Sequence, residues 1–72
     1  MKNYRIHYLR RGENTVATKK NGEVLTFETI NKASNYVNKV RITDSNDPLT
    51  FMNKVSICEY NGDEFVEVIE QI

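Results

Sequence analysis

The sequence predicts an α+β domain: a small, mostly antiparallel sheet with one helix packed on one face, in the order β-β-β-α-β-β. Aromatic and β-branched residues recur with period two near both ends of the chain. Two Asn-Gly dipeptides, Asn21-Gly22 and Asn61-Gly62, fall between such runs. One stretch near the middle switches to helical spacing.

Tyr4, Ile6 and Tyr8 alternate with Arg5, His7 and Leu9, which predicts a strand over 3–10. Arg10-Arg11-Gly12-Glu13-Asn14 breaks the alternation with turn residues. Thr15 to Lys20 reads as a second strand and Glu23 to Phe27 as a third. Asn21-Gly22 joins them through a type I′ turn, because both residues tolerate positive φ. From Thr29 onward, Ile30, Ala33, Val37 and Val40 fall at i, i+3, i+7 and i+10, with Tyr36 beside them. That is an apolar stripe on a helix over 29–41. Thr29 can cap its first turn, and Lys39 and Arg41 suit its C-terminal end. Asn31, Asn35 and Asn38 weaken helix propensity, so packing must hold this helix.

Thr43 to Pro48 is the most polar stretch and predicts a loop. Pro48 after Asp47 can open a helical turn, while Leu49-Thr50-Phe51 can equally run extended, so 48–54 is open between the two. Lys54 to Tyr60 and Glu64 to Glu70 then form a closing hairpin around Asn61-Gly62-Asp63. The run Val24-Leu25-Thr26-Phe27-Glu28-Thr29-Ile30-Asn31-Lys32-Ala33 resembles the strand-to-helix junction of small β-β-β-α modules, through Phe27, Thr29 and Ala33. Such modules include the arm-type DNA-binding domains of tyrosine recombinases. From these, the acidic final hairpin and the absent basic excess depart.

With 72 residues the chain holds one domain, and at this size only roughly 60% of the unfolded surface is buried on folding. No apolar run approaches the ~20 residues of a membrane span, and the N-terminus leads into no apolar signal core. A lone Cys58 forms no internal disulfide and no Cys-based zinc site. These features predict a cytoplasmic protein. Nine Asn residues and a short chain fit a phage or mobile-element accessory protein that modulates or inhibits a host protein.

One helix covers one face of a sheet, so the other face should be polar if it meets water. Placing Val55, Ile57, Val66 and Val68 toward the helix leaves His7, Leu9, Cys58, Tyr60, Phe65, Glu67 and Ile69 on the reverse face. That is more apolar surface than a solvated face needs: either a register shift, the 42–54 segment or the C-terminal tail covers it, or it marks a contact surface for another protein or a second copy of the chain. Leu9, Tyr60, Phe65 and Ile69 are the candidate anchors, with Glu67 in the charged rim.

The formal net charge is zero. Residues 1–41 nevertheless carry +6 and residues 42–72 carry −6. One explanation is internal: the first and last strands are neighbours and pair opposite charges. The other is a nucleic-acid-binding surface, with Arg10, Arg11, Lys19 and Lys20 on or beside one basic hairpin.

Catalytic signals are weak. His7 and Cys58 share the proposed reverse face, but a mid-strand Cys is usually a small hydrophobe and nothing marks a third orienting group. The loop with Asp44, Asn46 and Asp47 lacks the Gly and closing Glu of an EF-hand, so no metal site is expected. Neither GxxxxGK[ST] nor GxGxxG occurs, so no cofactor is expected. The expectation is a non-enzymatic protein-binding module.

Overall fold

The computed structural model, which describes residues 1–51 and 53–72, shows an antiparallel four-stranded sheet with helices on one side. The elements are β1 (Lys2–Arg10), β2 (Glu13–Val16), α1 (Ile30–Thr43), α2 (Pro48–Phe51), β3 (Asn53–Asn61) and β4 (Glu64–Gln71). The sheet order is β2-β1-β3-β4. The α+β class and the helix-on-sheet layering are as the sequence predicts.

β1 runs nine residues, as does β3, and its alternation matches a two-faced environment. Ile6 and Tyr8 are buried under the helix together with Val55 and Ile57 of β3. Ala33, Val37 and Val40 of α1 and Leu49 of α2 close the core from above. Thr29 caps α1, its Oγ1 accepting from Lys32 N at 3.1 Å. The open alternative over 48–54 resolves as a helical turn, α2, followed directly by β3, with Met52 outside the described residues. Asp47 Oδ1 accepts from Leu49 N at 2.9 Å, and Thr50 Oγ1 donates to Asp44 O at 2.6 Å, tying α2 to the end of α1.

Three expectations are corrected. Residues 23–27 form no third strand. After Ala17 donates to Ile6 O, the chain leaves the sheet edge, turns, and rejoins β1 through the Tyr4–Phe27 bridge. Between these points only Thr18 and Val24 make an isolated bridge. The turn at Asn21-Gly22 is not type I′, because only Gly22 has positive φ (90°). It closes a three-residue loop between Lys19 and Glu23, and Asn21 Oδ1 accepts from Glu23 N at 3.0 Å. The I′ pattern stands instead at Arg11-Gly12, where both φ angles are positive (53° and 81°) between the paired Arg10 and Glu13. Finally, β1 and β4 are not neighbours. β3 separates them, so the opposite charges of the first and last strands do not pair along a shared ladder.

Bulges decide which side chains face where. Between β1 and β3, Lys54 and Val55 oppose Tyr8, with Lys54 held at φ 57°. On β4 the register slips twice against β3, leaving Ile69 extra near Ile57/Cys58 and Val66 extra near Glu59/Tyr60.

Candidate protein-contact face

Cross-strand partners share a face, so the register defines the side of the sheet away from the helices. β1 contributes Asn3, Arg5, His7 and Leu9 to it, paired with Tyr60, Cys58 and Ser56 of β3 and with Val16 and Asn14 of β2. β4 contributes Phe65 opposite Tyr60 and Val68 opposite Cys58. Leu9, Tyr60 and Phe65 therefore lie on the face where the sequence puts them. Val68 is corrected: it points to the reverse face, not to the helix. Glu67 is corrected the other way, facing Glu59 on the helix side. Ile69 falls at the second bulge and is half-buried. In each case the cause is the extra residue, which reverses the alternation beyond it.

The face has two halves. Over β1 and β3 it roofs itself. His7 is only 9% exposed and Cys58 2%, although no helix covers them. Tyr60 lies alongside the His7 ring at 5.7 Å, and its hydroxyl meets His7 Nε2 at 2.7 Å. His7 Nδ1 meets Asn14 Oδ1 at 3.1 Å. With that carbonyl oxygen as acceptor, Nδ1 carries the proton of the neutral ring and Nε2 accepts from Tyr60. The Arg5 guanidinium stacks on Tyr60 at 4.2 Å from the ring centroid. It is fixed there by donating to Gly62 O at 2.9 Å, Asp63 Oδ1 at 2.8 Å and Asn3 Oδ1 at 3.1 Å.

Over β4 the face is bare. Phe65 meets Tyr60 edge-on at 5.7 Å yet is 51% exposed, and Val68 is 48% exposed. Burial pushes the Cys58 thiol above its ordinary pKa, outweighing the lowering contact with Ser56. Burial likewise raises Tyr60, with Cys58 adding to the rise and Arg5 opposing it. A raised thiol is held protonated, and both ring nitrogens of His7 are already engaged with Asn14 and Tyr60, so this pair lacks the geometry of a nucleophile and its base.

The basic residues fall on two separate turns rather than one hairpin: Arg10 and Arg11 at the β1–β2 turn, Lys19 and Lys20 at the next. Lys19 pairs with Glu23 at 3.8 Å. Among the described residues that the register places on the reverse face, the one cation is Arg5, already committed to Asp63. The face and corner residues that sequence reasoning missed are Arg5, Asn14 and Val68. The two slips bring Glu64, Glu67 and Glu70, three residues apart, to one side of β4.

A hollow of about 170 Å³ on the helix side, lined by Tyr8, Leu25, Tyr36, Asp47 and Leu49, is smaller than the roughly 300–1,000 Å³ typical of small-molecule sites. A wider recess of about 440 Å³ at the corner holds Lys2, Arg5, Glu28 and Asp63. Its charges are engaged in pairs with Glu59, Lys32 and each other. Among the described residues no group of His, Cys, Asp and Glu is arranged to hold a metal, and no helix is long and apolar enough to cross a membrane. Comparison with protein families, characterised proteins and solved structures gives no match to this chain.

Proposed function

We propose that the chain is a non-enzymatic protein-binding module whose contact surface is the reverse face of the sheet at β3 and β4. One observation carries the reading: Phe65 and Val68 stand half-exposed beside Tyr60 on a face that neither helix covers. Tyr60, Phe65 and Arg5 stand together there, and the Arg5 charge is met by Asp63; aromatic residues and Arg are the types enriched at interface centres. The short, Asn-rich chain fits an accessory protein that modulates or inhibits a host protein.

Nucleic-acid binding through Arg10, Arg11, Lys19 and Lys20 is the second reading. The strained φ of Arg11 on an exposed basic turn favours it. Against it, the Tyr60 ring that would stack on a base is already capped by Arg5. A phosphate-driven complex would weaken steeply with salt and with Arg10→Ala plus Arg11→Ala.

The test is a photo-crosslinking residue placed at Val68, with the exposed helical position Asn38 as control, in cells of the source organism. The reading expects a discrete crosslinked protein species from position 68, absent from position 38 and lost with Phe65→Asp. Equal crosslinking at both positions, or none at 68, overturns it.

A further inference from the structure

The two bulges of β4 do more than bend an edge strand. Without them, Phe65, Glu67, Ile69 and Gln71 would share one face, and Glu64, Val66, Val68 and Glu70 the other. Each face would then mix charge with apolar surface. With them, the register places Glu64, Glu67 and Glu70 on the helix side, opposite Asn61, Glu59 and Ile57. Phe65 and Val68 stand together on the reverse side, followed by Gln71. The slips thus sort the strand into an acidic side and an apolar side, and bulges at sheet edges commonly re-aim side chains in this way.

The acidic side is uncompensated. None of Glu64, Glu67 and Glu70 enters an ion pair among the described residues; Glu67 faces Glu59, whose own charge is met by Lys2 at 3.7 Å. The unpaired basic side chains Arg10 and Arg11 sit at the turn beside the opposite edge strand, β2. A second copy related by a two-fold axis is a poor occupant for this edge. Pairing β4 with β4 about a two-fold axis brings glutamate rows together, and the two slips interrupt the repeat of backbone groups that a long ladder needs. The complementary surface is cationic where it meets the glutamates and apolar where it meets Phe65 and Val68.

We propose that β4 is the docking edge for a different protein, one that presents an apolar contact flanked by lysine or arginine. This rests on the reverse-face reading above and names the chemistry of its partner. The acidic row orients the partner and speeds encounter, and the apolar side supplies the buried area.

The experiment titrates the isotopically labelled full chain with two synthetic peptides and follows amide shifts by NMR. One peptide alternates lysine with leucine, and the other has glutamate in place of lysine. The proposal expects shifts centred on 64–71 and Tyr60 with the lysine peptide, and binding at least about tenfold weaker for the glutamate peptide. Raising salt from about 50 to about 500 mM should weaken the lysine peptide severalfold. The triple variant Glu64→Gln, Glu67→Gln, Glu70→Gln should lose about tenfold for the lysine peptide. These positions are exposed, so its spectrum should otherwise match the parent. The single Glu67→Gln, expected to lose a lesser amount, serves if the triple variant misfolds.

No binding, equal binding of both peptides, or shifts centred elsewhere overturns the proposal. If Phe65→Ser weakens both peptides and the triple variant weakens neither, the cationic partner is refuted while the reverse-face contact stands. If the triple variant loses binding and Phe65→Ser does not, the apolar contact fails, and with it the reverse-face reading. If the triple variant only self-associates, with unchanged peptide binding, the glutamates are merely a guard against edge pairing and the proposal falls.

Discussion

Tyr60→Phe separates what the reverse face does for the fold from what it offers a partner. The substitution keeps the ring, hence the Arg5 stacking at 4.2 Å and the edge contact with Phe65, and removes only the hydroxyl that meets His7 Nε2 at 2.7 Å. His7 is 9% exposed, so its nitrogen loses a partner where water reaches it poorly. Leaving a buried acceptor unpaired costs about 1–3 kcal/mol. Tyr60 is itself only partly buried, which favours the lower part of that range, about 1–2 kcal/mol. At roughly 0.05–0.15 kcal/mol per residue the whole domain holds on the order of 4–11 kcal/mol, so the loss is a large fraction. For a domain of this length each kcal/mol moves the midpoint by about 4–8 °C, and Tm should fall by about 5–15 °C. Urea unfolding should show a lower midpoint at unchanged slope.

The companion measurement is a double-mutant cycle with His7→Phe. Once both are gone, the one group left without its partner is the exposed Asn14 amide, which water can satisfy, so the double variant should be less destabilised than the sum of the singles, with a coupling of about 1 kcal/mol. An unchanged urea midpoint for Tyr60→Phe, or strict additivity in the cycle, would refute the network as a structural element.

Burial raises Cys58 and Tyr60 above their unfolded values of 9.0 and 10.0, and Tyr36 is raised by burial with Asp47 and Asp44 adding to it. A group raised on folding contributes stability that is fully present below its unfolded pKa and lost as pH rises through the folded one. The urea midpoint should therefore hold from neutrality to about pH 8.5 and decline by about pH 10.5, and a flat or rising midpoint over that window contradicts it. Arg11 occupies the left-handed region at φ 53°, which costs a residue with a Cβ about 1–2 kcal/mol. Arg11→Asn, which tolerates that region better, should raise Tm by a few degrees, and a lowered Tm would show that the Arg11 side chain holds the turn.

The elements legible in the sequence are those where one local rule agrees with the packing. The stripe of Ile30, Ala33, Val37 and Val40 meets the sheet as helical spacing requires, and Thr29 caps the helix as its hydroxyl predicts. The segment 17–28 misleads because Val24, Leu25 and Phe27 look like strand residues but serve as three separate anchors. Val24 bridges Thr18, Phe27 bridges Tyr4, and Leu25 packs against the core. Asn21-Gly22 looks like the stronger hairpin turn, yet Asn21 spends its side chain on Glu23 N. The two-residue turn falls at Arg11-Gly12, where arginine gives no propensity signal. On β4 the period-two rule works until the first slip and then inverts, which is why Val68 and Glu67 exchange sides.

That exchange is also what separates structure from function on the reverse face. Arg5, His7, Asn14 and Tyr60 satisfy one another, so a partner that disturbed them would lose hydrogen bonds to gain contacts. Phe65 and Val68 carry no such obligation. Being about half-exposed, they contribute only part of the ~1.5–3 kcal/mol that full burial of such side chains supplies, and they leave apolar surface at a sheet edge where association is a hazard. Glutamates turned to the opposite side limit that hazard without covering the apolar pair. Burial does not choose between the two arrangements, because both sides of β4 are exposed apart from half-buried Ile69. A strand bent twice to bring Val68 beside Phe65 fits a surface shaped for contact with something outside the chain.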